Sequence, residues 1–107
     1  MAQLSVWPAT LLADVLVTGA GTSMQAWMEN RTFQGKGSTT SGAGAATIIV
    51  EGSNDDVNWI TLGTITLTLG TAETSDGFAS DARWSYLRGR VSAISGTGAK
   101  VSLFMGF

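Results

Sequence analysis

The chain contains no cysteine and no histidine. The first absence excludes disulfides and thiolate metal sites, on which many small secreted domains depend. The second removes the commonest general base, the usual zinc ligand and the side chain that titrates near neutral pH. Proline occurs once, at Pro8, and charged residues make up 13% of 107 positions, about half the usual share. With a formal charge of −2 there is no basic surplus to neutralise phosphates, so no nucleic-acid partner is expected. No apolar run approaches the roughly 18 residues of a spanning helix, and no membrane partner is expected either. The opening stretch M-A-Q-L-S-V-W-P-A-T-L-L-A-D lacks the basic segment and long apolar centre of a secretory signal, and synthesis in a cytoplasm is expected.

What fills the space is apolar and neutral. Hydrophobic residues reach 44%, too many for ordinary disorder and enough for one core in a domain of this length. Residues 11–107 are expected to form that domain. Residues 1–10, with Trp7 and Pro8, are expected to form an N-terminal arm or an edge strand that could dock on a neighbour.

Alternation of period two recurs along the chain, whereas helical spacing does not. T-I-T-L-T-L-G at 64–70 sets Ile65, Leu67 and Leu69 against threonines, the pattern of an antiparallel strand with one wet face. Further strands are predicted at 14–18, 24–29, 45–52, 58–62, 84–94 and 100–104, with shorter ones at 32–34 and 77–79. Glycine-, serine- and aspartate-rich turns separate them. About eight short strands at this spacing predict an all-β antiparallel sandwich with jelly-roll topology.

Catalytic constellations are not apparent. Asp14, Glu29, Glu51, Asp55, Asp56, Glu73, Asp76 and Asp81 supply carboxylates, but adjacent Asp55 and Asp56 cannot straddle a substrate as a glycosidase requires. A serine nucleophile would lack its histidine. The protein is expected not to be an enzyme and to carry no cofactor and no metal.

Two segments invite a binding role. In R-W-S-Y-L-R-G-R-V-S-A-I, from Arg83 to Ile94, period two groups Leu87, Gly89, Val91 and Ala93 on one face. Trp84, Tyr86, Arg88 and Arg90 then share the other. Phe104 points outward by the same rule, as do Ile49 and Glu51 in the strand at 45–52. Trp, Tyr and Arg are the residue types over-represented at binding hot spots. A β-bulge near Gly89 would reverse the phase and send Trp84 and Tyr86 into the core. The contact set is therefore Trp7, Trp84, Tyr86, Arg88, Arg90 and Phe104. The second segment is the turn in V-E-G-S-N-D-D-V-N-W, where Asn54, Asp55, Asp56 and Asn58 offer oxygens and Trp59 an aromatic ring. It supports an alternative ligand site, for sugar or calcium, or a tight corner closed by its own Asx hydrogen bonds. A repeated S-G-x-G-A, at 41–45 and 95–99, lacks the following helix of a phosphate loop and is expected to form two tight turns.

V-E-G-S-N-D-D-V-N-W-I-T-L resembles the strand, Ser-Asn-Asp-Gly turn and Asn-Trp pair of discoidin-like jelly rolls, and W-S-Y-L-R-G-R-V is similar to a later strand of those domains. Asp56 stands where that family usually has glycine, a departure that is tolerable because aspartate can enter the left-handed region. The short cysteine-free chain, its Gly/Ser/Thr-rich strands and these motifs are similar to small jelly-roll cement (decoration) proteins of tailed bacteriophages. That resemblance implies a homo-oligomer, dimer or trimer, on the outside of the virion, binding the major capsid protein and reinforcing the shell. The alternative it leaves is a carbohydrate-binding sandwich of a phage head fibre or tail.

Overall fold

The computed structural model describes residues 9–25, 31–81 and 84–106. Trp7 and the first eight residues of the expected arm lie outside them. Every regular element described is a strand: β1 (Ala9–Val15), β2 (Gly19–Ala20), β3 (Met24–Gln25), β4 (Arg31–Ser38), β5 (Ser41–Ser53), β6 (Ile60–Leu69), β7 (Thr74–Ser80), β8 (Tyr86–Thr97) and β9 (Lys100–Gly106). The last two residues of the expected arm, Ala9 and Thr10, begin β1.

Two antiparallel sheets result. One has the order β1-β9-β4-β7, and the other the order β2-β8-β5-β6, with β3 also paired to β8. Partners nest about the middle of the chain: β5 with β6, β4 with β7, β2 and β3 with β8, β1 with β9. Successive nested pairs alternate between the sheets. That is a long hairpin wound around a sandwich, the jelly roll expected from the turn spacing.

The interior is built by the even phase of β5 (Ala46, Ile48, Val50) facing the odd phase of β9 (Val101, Leu103, Met105), all buried. Phe33, Ile65, Leu67, Leu69, Leu87 and Val91 join them, with Leu11, Leu12 and Ala99. Each side chain larger than alanine contributes roughly 1.5–3 kcal/mol by leaving water. Strand β4 was legible only at 32–34 because its inward positions beyond Phe33 are Gly35 and Gly37. The neighbours explain the glycines. A Cβ on Gly35 would meet Ile48 and Ile65 at 3.1 and 3.2 Å, and one on Gly37 would meet Leu69 at 2.9 Å.

Bulges account for most departures from simple alternation. In β1, Thr10 pairs Phe104 while Leu12 pairs Leu103, and Val15 pairs Val101, so β1 gains a residue twice relative to β9. The first extra residue lets adjacent Leu11 and Leu12 both be buried. The second spans Asp14, whose φ is +46° and whose N–H donates to Ser102 Oγ at 3.0 Å. The strand predicted at 14–18 therefore lies earlier, at 9–15. In β6, Val50 pairs Gly63 and Glu51 pairs Thr61, which leaves Leu62 as the extra residue. The strands predicted at 58–62 and 64–70 are consequently one bent strand. Of the strand predicted at 24–29, only Met24–Gln25 is a strand among the described residues.

Gly89 faces inward from β8, where an added Cβ would lie 2.5 Å from Leu103 Cδ2 and 3.1 Å from Leu12 Cδ1. Both leucines are buried and have nowhere to retreat. Gly89→Val is expected to lower unfolding stability by about 1–3 kcal/mol, the usual cost of overpacking, as measured by urea denaturation. An unchanged midpoint would show that the interior is looser than described.

Candidate functional site

The outer face of the five-stranded sheet brings together Glu51, Tyr86, Arg88 and Arg90, with Trp59 beside them. The pairing of β5 with β8 sets it. Ile48 pairs Val91, Val50 pairs Gly89 and Gly52 pairs Leu87 on the core side. Ile49 pairs Arg90, Glu51 pairs Arg88 and Ser53 pairs Tyr86 on the outer side. The register slips twice: between Ser41 and Ala45 at the far end, and nearer this face where Thr47 pairs Ala93 while Ile48 pairs Val91, leaving Ser92 as a bulge. A phase change does occur in β8, then, but it lies beyond Gly89 and spares the arginines. It also corrects the placement of Ala93, which is exposed, while Ile94 packs against the core.

Glu51 organises this face. Its side chain is only 8% exposed. Oε1 accepts from Arg88 Nε at 2.8 Å and Oε2 from Arg90 Nε at 3.2 Å. The Arg88 guanidinium also lies over the Trp59 ring, 4.2 Å from its centroid, within the range of a cation–π contact. Trp59, just ahead of β6, therefore forms one connected row with Glu51 on β5 and Arg88 and Arg90 on β8. A carboxylate that holds two arginines, one of them stacked on an indole, fixes side chains that are ordinarily costly to order.

The predicted contact residues do not form a single patch. Tyr86, Arg88 and Arg90 share this face, all half-buried. Trp84 does not join them: strand pairing ends at Tyr86, the chain bends at Ser85, and Trp84 is released from the alternation. It packs against the core over Gly52, where an added Cβ would meet its ring at 2.5 Å. Phe104 is on the outer face of the other sheet, with Lys36 Nζ 5.4 Å from its ring centroid and Thr32, Gln34 and Gly106 around a shallow depression. Trp7 lies outside the described residues. Conversely, Trp59 was assigned only to the alternative sugar or calcium site, and Glu51 to no site. Period two already put Glu51 outward in phase with the arginines' face, but only the long-range register shows that it meets them.

The acidic turn is closed on itself. Ser53 Oγ donates to Asp55 Oδ1 at 2.8 Å and accepts from the N–H groups of Asp55 and Asp56. Asp55 Oδ1 also accepts from the N–H groups of Val57 and Asn58 at 2.9 and 2.8 Å, while Oδ2 takes the Asn58 amide at 2.7 Å. Asn54 Oδ1 accepts from Ser85 N–H at 3.2 Å, tying the turn to the start of β8. Asp56 has φ +60°, the left-handed conformation that aspartate can enter, at the position where the discoidin-like turn has glycine. These bonds use the oxygens of Asp55 for the turn itself. Among the described residues, no three Asp or Glu side chains converge on a point that could hold a metal ion.

At the opposite end, the two S-G-x-G-A segments lie side by side. Ser41 pairs Thr97 and Ala45 pairs Ser95, with Gly42, Gly96 and Gly98 at φ +70°, +120° and +63°. Thr40 binds Thr97 O through both its N–H and its hydroxyl, at 2.9 and 3.0 Å. Residues 41–45 thus lie within β5 and 95–97 within β8, so the echo builds two paired strand ends with an irregular register and not the two tight turns expected; only Gly98 is in a turn.

No protein-family model matches the chain, and no curated protein matches it. The fold is shared with a solved structure, titled as that of PBSX exported protein XepA, at a TM-score of 0.56 and 17% identity. The match covers 99% of this chain and 38% of that chain. The likeness is one of fold, and this chain spans well under half of that protein.

The turn makes a pH prediction. The backbone N–H of Asn58, followed by its side-chain amide, the Val57 N–H and the Ser53 hydroxyl, holds the Asp55 carboxyl well below the usual carboxylate range. A depressed folded value stabilises the fold fully above the unfolded value of about 3.9 and is lost as pH falls below it. Asp55→Asn should lower the melting temperature by a constant amount from pH 7 to pH 5. The gap between wild type and variant should then close on acidification below about pH 4. A gap independent of pH down to pH 2 would contradict the assignment.

Proposed function

We propose that the protein is a structural component of a phage particle, a cement protein that attaches to the outside of the major capsid protein and stabilises the shell. The observation that carries this reading is the ordered row Trp59–Glu51–Arg88–Arg90 with Tyr86, in which all but Trp59, just ahead of β6, stand on the two central strands of a sheet. Arg, Trp and Tyr dominate binding hot spots, and here they are held in place before any partner arrives, which reduces the entropy lost on docking. The fold shared with PBSX exported protein XepA supports a phage-related role. The carbohydrate alternative is favoured less. It needs an open indole face and free turn oxygens, whereas Arg88 covers one face of Trp59 and Asp55 is engaged within its own turn.

Self-association belongs to the same proposal, and the sheet edges indicate where. Edges invite pairing unless something blunts them. Strand β1 carries two bulges, β2 and β3 are two residues each, and β7 presents Asp76 with Glu73 just before it. Strand β6 runs for 10 residues, I-T-L-G-T-I-T-L-T-L, with no charge and no proline. An antiparallel two-fold about Thr66 would set Thr64 opposite Thr68 of a second copy and keep Ile65 and Leu67 on the core side.

Two outcomes are expected. Expanded shells built from the cognate major capsid protein should bind the protein at saturable copy number. Trp59→Ala or Arg88→Ala should weaken that binding by about tenfold or more with the fold intact by circular dichroism. Absence of shell binding by the wild type would overturn the reading. In sedimentation, the wild type should be a dimer and Thr66→Lys a monomer of similar melting temperature. A wild type that stays monomeric at millimolar concentration would remove β6 from the account.

A further inference from the structure

We infer that the Arg88–Arg90 pair is a receptor for an acidic side chain, so that the surface this protein binds presents a glutamate or aspartate at the centre of the contact. The inference deepens the proposed function by naming the chemistry of the partner, and it rests on the outer sheet face being the binding face.

The geometry of the two guanidinium groups carries it. Each has five N–H donors, and each gives its Nε–H to Glu51. Among the described residues, neither terminal Nη pair donates to a protein acceptor. Glu51 thus orients both arginines while leaving the ends that bind carboxylates two at a time. Its single charge cannot neutralise both, so the pair keeps one net positive charge. Across the rest of this face the outward residues are neutral: Thr47 and Ile49 on β5, Thr61, Thr64, Thr66 and Thr68 on β6, and Ser92 on β8. The closest carboxylates along β5 are Asp55 and Asp56, in the turn beyond Ser53, and Asp55 is tied into that turn. The positive site is therefore limited on the Tyr86 side and open on the Arg90 side.

Stacking adds to the directionality. Trp59 supports one face of the Arg88 plane, so its fork presents its edge, where the Nη hydrogens lie, to an incoming carboxylate. Arg90 is two residues along the same strand face, about 6.6 Å away by strand rise, near enough for both forks to reach one carboxylate or two neighbouring ones. Lysines could not replace this arrangement, because a point charge cannot give its Nε to Glu51 and keep a planar fork for the ligand.

The test uses the whole protein and two peptides, hexaglutamate and hexalysine. Nitrogen-15 NMR would follow the Arg side-chain N–H signals and the Trp59 indole N–H during titration at low salt. Hexaglutamate is expected to give saturable shifts confined to Arg88, Arg90 and Trp59, weakened about tenfold or more by Arg90→Gln and also by Arg90→Lys. Hexalysine should leave these signals in place. Absence of saturable shifts with hexaglutamate, equal shifts with hexalysine, or a full response in Arg90→Gln would each overturn the inference. Wild-type titration alone decides the matter if the variants fail to fold. The two proposals fail separately. Saturable hexaglutamate binding without shell binding would remove the capsid and leave the acidic receptor. Shell binding unaffected by Arg90→Gln and by 0.5 M salt would do the reverse.

Discussion

The pairing of β5 with β8 is the constraint on which the molecule turns. These are the central strands of the five-stranded sheet, and their register assigns every side chain on both faces at once. On the inside it stacks Ile48, Val50, Leu87 and Val91 into the core. On the outside it delivers Glu51 to Arg88 and Arg90. At one end it brings Asn54 to Ser85, and at the other it sets the two glycine-rich strand ends side by side. A slip of one residue would exchange the faces, burying two arginines and exposing the aliphatic row. Hydrophobic burial on one side thus enforces a polar arrangement on the other.

Much of this was legible in the sequence where a strand alternates without interruption. Ile65, Leu67 and Leu69, and Val101, Leu103 and Met105, announced their inward faces, and with the turn spacing they were enough for the sandwich. Legibility failed where an extra residue enters a strand. Leu62, Ser92 and the β1 insertions around Leu11 and Asp14 have no local marker, since a bulge is defined against its partner strand. It failed again in β4, where inward glycines leave room for Ile48, Ile65 and Leu69. The site was half legible. Tyr86, Arg88 and Arg90 followed from period two, whereas Trp84 escaped it because pairing stops at Tyr86. Glu51 was invisible as a partner because it is 37 positions from Arg88, and nothing local records that contact.

The acidic turn and the arginine row illustrate two uses of carboxylates in a chain with few charges. Asp55 spends both oxygens on its own loop and yields a rigid corner. Glu51 spends its oxygens on two side chains and leaves their other donors available. The first closes a structure and the second opens a surface. The proposed binding face rests on that second arrangement, with Glu51 and both arginines on strands β5 and β8, where the backbone does not have to be ordered on binding.

Phe104 with Lys36 on the opposite sheet is the competing face. Hydroxyl-radical footprinting of the protein bound to shells compares the two directly, because Trp, Tyr and Phe rings are all oxidised when exposed. Binding through the β5–β8 face predicts protection of Trp59 and Tyr86 with Phe104 unchanged. Protection of Phe104, with Trp59 and Tyr86 as reactive as in the free protein, would contradict it.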